Sequence, residues 1–135
     1  MVVEQSESTP RPPGVPAWQL ALRFGLEVGA LVALGDWAFH AAGAGPKGWL
    51  AGLGLPALAA TAWATFAVPG DRSRSGRAPV PVPGWLRLTL ELGLFAAAGA
   101  ALGARHHTTA LLVFLVALGV HHLVSPARHL WLLRQ

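Results

Sequence analysis

Cysteine is absent from this 135-residue chain, so neither a disulfide framework nor a thiolate metal site can form. Charge is scarce. Only 12% of the residues are Asp, Glu, Lys or Arg, against ~25% in a typical soluble domain. No persistent period-two alternation marks a strand, so strands are not expected. No Gly-x-Ser-x-Gly elbow and no phosphate-cradling Gly-Lys-Ser/Thr loop occurs, so no nucleophile–base or nucleotide chemistry is signalled. These absences leave no catalytic motif, and an enzyme is not expected.

What remains is mostly apolar: 53% of the chain is hydrophobic. The length fits one domain. Residues 1–16 are polar and rich in proline, and they read as a disordered tail. Four apolar segments follow, over about 17–42, 48–68, 85–104 and 108–124. Each is close to the ~20 residues that cross ~30 Å of hydrocarbon. They are apolar on nearly all sides, unlike the one-sided stripe of a soluble helix. The expected fold is therefore all-α, a four-transmembrane-helix bundle over residues 17–125. A basic linker at 69–84 divides it, and a C-terminal tail at 126–135 follows it.

The net charge of +4 does not point to nucleic acid, because the basic residues sit in short connections between apolar segments. Arg11, Arg72, Arg74, Arg77, Arg128 and Arg134 lie in the tails and the central linker, against Lys47 and Arg105 in the other two loops. That asymmetry predicts both termini and the linker on the cytoplasmic side of the inner membrane. The first segment is not expected to be a cleaved signal, since Arg23 and Glu27 interrupt it.

Two stretches read alike. Leu22 to Gly35 (LRFGLEVGALVALG) and Leu86 to Gly99 (LRLTLELGLFAAAG) agree at seven of fourteen positions, 64 residues apart. The pattern predicts two hairpin repeats entering the membrane from the same side. The motifs L-R-x-x-L-E (Leu22 to Glu27), W-x-x-F-x-x-P (Trp63 to Pro69) and L-R-x-x-x-E-L-x-x-F (Leu86 to Phe95) resemble the YrdB-like family, small bacterial membrane proteins of unknown function. The resemblance covers about residues 17–124 and implies four membrane helices and no known reaction. Asp36 and the pair His121–His122 depart from that family's pattern.

Each repeat carries an Arg and a Glu inside an apolar helix. Glu27 lies nine residues beyond Trp18, and Glu91 six beyond Trp85. These offsets correspond to depths of roughly 13 and 9 Å at 1.5 Å per residue. A charge at the centre of a membrane helix costs about 2.5–3.5 kcal/mol on insertion scales. Both acids should therefore point into the bundle. Arg23 and Glu27 are four apart, as are Arg87 and Glu91, so each pair shares a face. Pairing across helices, Arg23 with Glu91 and Arg87 with Glu27, is equally open. The leading reading is a structural Arg/Glu network in an accessory, helix-packing protein. The alternatives are a proton or ion relay in a small transporter through Glu27 and Glu91, and a membrane enzyme or cofactor carrier.

On the helical wheel, Gly25, Gly29 and Ala33 fall opposite Glu27, and Gly93 and Ala97 opposite Glu91. Small residues at this spacing predict close helix contact, within the bundle or in a homodimer. Gly48/Gly52 and Gly99/Gly103 share the spacing. Lipids and other membrane proteins are the expected partners. His121 or His122 is placed to reach the Glu network from the cytoplasmic side. Asp36, His40, His106 and His107 offer an oxygen/nitrogen donor set. They lack a ligand spacing such as His-Glu-x-x-His, so neither metal nor haem nor any other cofactor is expected.

Overall fold

The computed structural model describes residues 14–74 and 77–135. Among the described residues five helices run in order: α1 (Ala17–Ala41), α2 (Gly45–Thr65), α3 (Gly84–Ala104), α4 (Thr108–Val124) and α5 (Pro126–Leu132). The tail expected over 1–16 lies, up to residue 13, outside the described residues.

Two departures from the sequence reading concern the ends of elements. A minimal parallel pair joins β1 (Phe66–Ala67) to β2 (Val80–Pro81), in register Phe66 with Val80 and Ala67 with Pro81. Two residues per strand are too few to show alternation, so the pattern could not reveal it. Residues 126–135, read as a tail, carry α5. Pro126 supplies its first turn, where a missing N–H costs nothing. The axis bends by 71° between α4 and α5.

The central core lies among α1, α3 and α4. Leu26, Ala30 and Ala33 meet Phe95, Ala98 and Phe114. The Phe95 and Phe114 rings sit edge to face at 6.1 Å. Outside this core the helices carry large apolar side chains on their surface. Leu50 is 78% exposed, Leu58 70%, Val116 68% and Leu123 81%. A water-soluble monomer rarely exposes so many large apolar side chains. By length and composition α1 and α3 can each cross a membrane, and a third span arises if α4 and α5 are taken as one broken element.

α1 and α2 pack through backbone rather than side chains. A Cβ built on Gly35 falls 2.7 Å from the Gly52 carbonyl oxygen. One on Gly52 falls 3.0 Å from Phe39 Cβ and 3.1 Å from the Gly35 oxygen. The Gly48/Gly52 spacing thus marks the α1–α2 contact. Gly25, Gly29 and Gly93 face outward, with nothing within 4 Å of an added Cβ, and Ala97 is exposed as well. Of the five small residues expected at helix contacts, only Ala33 is buried. Gly52→Val should therefore separate α1 from α2 and destabilise the protein by about 1–3 kcal/mol, the usual range for overpacking. Gly29→Val should leave stability nearly unchanged. Thermal unfolding in detergent, followed by tryptophan fluorescence, compares the two.

Candidate functional site

Glu91 sits at the centre of a polar cluster at the end of the molecule where α5 docks. Its side chain is fully buried. Arg128 Nη1 donates to both carboxylate oxygens, at 3.2 and 3.0 Å. Arg23 Nη2 reaches Oε2 at 3.5 Å, and His121 Nε2 lies 3.4 Å from Oε1. One carboxylate thus joins α1, α3, α4 and α5.

The cluster extends into the linker. Arg128 Nη2 donates to Asp71 Oδ2 at 3.1 Å, and its Nε donates to Ser73 Oγ at 3.1 Å. Arg23 Nη1 also donates to Ser73 Oγ. The Ser73 hydroxyl donates in turn to Asp71 Oδ1 at 2.6 Å. Its two lone pairs and one proton are all used. Arg23 Nε binds Glu27 Oε1 at 2.8 Å, along one helix face. Glu27 remains partly exposed, at 22%.

The two repeated arginines have different surroundings. Arg23 pairs both within its helix and across to Glu91, as the two pairings read from sequence allow. Arg87 forms no carboxylate pair among the described residues, which corrects the expectation that it meets Glu27 or Glu91. Its Nη1 donates to the carbonyls of Trp63 and Phe66, at 2.8 and 2.6 Å. Its guanidinium lies over the Trp63 ring, 3.8 Å from the centroid. Arg74 Nη2 donates to the Ala64 carbonyl at 2.9 Å. Both arginines satisfy carbonyls that the end of α2 leaves open, where cations also complement the helix dipole.

The histidines fall into two groups. Near the far end of α1, Asp36 Oδ2 accepts from Arg105 Nε at 2.9 Å and lies 3.3 Å from His107 Nε2. His40 Nδ1 is 3.3 Å from the other oxygen. An arginine already occupies this carboxylate, and among the described residues the Asp36 group is not one that could hold a metal ion. His106 takes a left-handed turn conformation (φ 57°) and forms no side-chain bond there. At the opposite end, His122 Nδ1 lies 3.2 Å from His129 Nε2, beside His121. Between α1 and α4 runs an open apolar groove of about 720 Å³, lined by Gly25, Gly29, Val32, Val113, Phe114 and Ala117.

Sequence reasoning missed Arg128, Asp71 and Ser73. The available signal was Leu-Trp-Leu-Leu after Pro126, an apolar stretch too rich for a solvated tail. In the folded chain Trp131 and Leu132 pack on Val68. Gly84 admits this contact, since a Cβ there would strike the Leu132 backbone carbonyl.

Burial of Asp71 by itself disfavours its charge. The Arg128 guanidinium and the two Ser73 hydrogen bonds outweigh burial and hold this carboxyl below its ordinary value. A depressed carboxyl stabilises the folded state above its unfolded pKa of about 3.9 and loses that contribution as pH falls through the folded value. Docking of α5 should therefore weaken below about pH 4. Amide hydrogen exchange over residues 126–132 reads this directly, and Asp71→Asn should remove that part of the pH dependence.

Comparison with known proteins gives a family and no reaction. Residues 21–118 match the family described as protein of unknown function (DUF2568). A curated relative, the uncharacterized protein YrdB of Bacillus subtilis (strain 168), is 40% identical over 116 residues, covering 86% of this chain and 94% of the relative. No solved structure matches the chain.

Proposed function

The chain belongs to the DUF2568 family of unknown function and is similar to the uncharacterized YrdB; from its long apolar helices and the buried polar cluster that joins them, we propose a multi-pass membrane protein with a structural, helix-packing role. In this reading α1 to α4 all cross the inner membrane, both termini and the basic linker face the cytoplasm, and the two Leu-Arg…Glu helices enter from the same side. Lipid is the primary partner. The polar cluster clamps α5 and the linker onto the cytoplasmic end of the bundle.

The saturation of Glu91 carries the structural reading. A relay acid needs a changing partner or a route for its proton. Glu91 is instead surrounded by Arg128, Arg23 and His121 at hydrogen-bond distance. A carboxylate fixed by two guanidinium groups is suited to holding helices in register.

Two experiments test the two halves of this proposal. Removing one partner from a buried pair strands the other charge and costs about 3–5 kcal/mol. Glu91→Gln should lower stability in detergent by that order. Proteoliposomes with wild-type protein and with the variant should both be as ion-tight as protein-free vesicles. Proton or cation flux through the wild type that Glu91→Gln abolishes would overturn the structural role. For topology, the absence of native cysteine allows single-site labelling with an impermeant maleimide. Gly43→Cys should react in intact cells, whereas Arg77→Cys should react only after permeabilisation. The reverse pattern refutes the orientation.

A further inference from the structure

Three imidazoles meet where α4 turns into α5. His121 and His122 end α4, and the 71° bend brings His129 back beside them. One ring nitrogen from each can be chosen so that all three lie within 4.8 Å of one another. His122 Nδ1 and His129 Nε2 are already 3.2 Å apart. Two nitrogens bound to one tetrahedral zinc-class ion at 2.0–2.1 Å stand about 3.3 Å apart.

His121 supplies an independent observation. Its side chain is 3% exposed. Nε2 faces Glu91 Oε1 at 3.4 Å, which leaves Nδ1 buried with no hydrogen-bond partner. His122 Nε2 is likewise buried without one. A carboxylate on one ring nitrogen of a histidine orients the other as a metal ligand and raises its basicity. Glu91 stands in that position. The neighbouring cation, Arg128, is engaged by Glu91 and Asp71 rather than directed at the imidazoles.

We propose that His121, His122 and His129 bind a divalent transition-metal ion of the zinc class, one ring nitrogen each. Three neutral imidazoles suit Zn²⁺, Co²⁺, Ni²⁺ or Cu²⁺ rather than the oxygen-seeking Mg²⁺ or Ca²⁺. Three protein ligands leave a fourth position for water or an added donor. Such an ion would tie α5 to α4 across the bend at Ser125.

The test uses the full chain, purified in detergent with a histidine-free tag, stripped with chelator and titrated with Co²⁺. The expected result is one equivalent bound, with the visible absorption of tetrahedral nitrogen-ligated Co²⁺, displaced by Zn²⁺. His122→Ala and His129→Ala should each weaken binding at least tenfold. His129→Gln should do the same while still offering His122 a hydrogen-bond partner, and circular dichroism verifies that the helices persist. The double variant His40→Ala/His107→Ala should bind like wild type. Absence of saturable one-to-one binding overturns the proposal, and so does binding that survives in all three His122 and His129 variants. Metal binding is read in detergent, so its outcome is separate from the flux and topology results.

Discussion

A carboxylate removed from water has to be surrounded by donors, and Glu91 draws much of this structure around itself. Its two oxygens receive Arg128, Arg23 and His121, which come from three other helices. Such a group adds little net stability over a well-packed apolar replacement. What it does is penalise wrong arrangements, because any shift of register strands an ion in a low-dielectric interior. Helices sheathed in leucine slide past one another with little loss of contact. A fixed set of charge-assisted bonds distinguishes one registration from the rest.

The two Leu-Arg…Glu stretches show how far neighbours override local sequence. Arg23 finds carboxylates because Glu27 lies one turn on and Glu91 lies across the interface. Arg87 stands at the matching position of α3 but meets the end of α2, where the carbonyls of Trp63 and Phe66 lack helical donors. Open carbonyls are costly in an apolar surround. A guanidinium with its five N–H donors and a planar face suits both those carbonyls and the Trp63 ring. One repeated spacing therefore yields an ion pair in one copy and a helix cap in the other.

The long helices were legible because apolar runs of membrane length leave few alternatives; of the two acids expected to point inward, Glu91 is fully buried and Glu27 is partly exposed. The partners of those charges were legible only in part. Spacing along one helix raised Arg23–Glu27 and the repeat raised Arg23–Glu91, but Arg128 meets both Glu91 and Asp71 only after α5 folds back. In the sequence Arg128 and Asp71 look like ordinary loop charges. Of the small-residue faces, expected to pack within the bundle or in a homodimer, only Ala33 is buried within this chain. A helical wheel places Gly25 and Gly29 opposite Glu27, yet it cannot say whether another helix lies there. Gly35 and Gly52 became the close contact because α2 passes over that part of α1.

Polarity is distributed unevenly between the two ends of the bundle. One end holds Arg23, Asp71, Glu91, Arg128 and the three-histidine corner, while the other holds the smaller group around Asp36. The bend at Ser125 makes that asymmetry possible. α4 has 17 residues, or roughly 25 Å at 1.5 Å per residue, short of a ~30 Å hydrocarbon layer. Pro126 cannot continue the α4 hydrogen-bond ladder. The Val124 carbonyl exposed by the break is taken up by the Gln19 side chain, at 3.2 Å. An uninterrupted helix would have carried Arg128 and His129 away from Glu91. Breaking it instead turns the basic end of the chain inward and supplies the cation that the buried carboxylate requires.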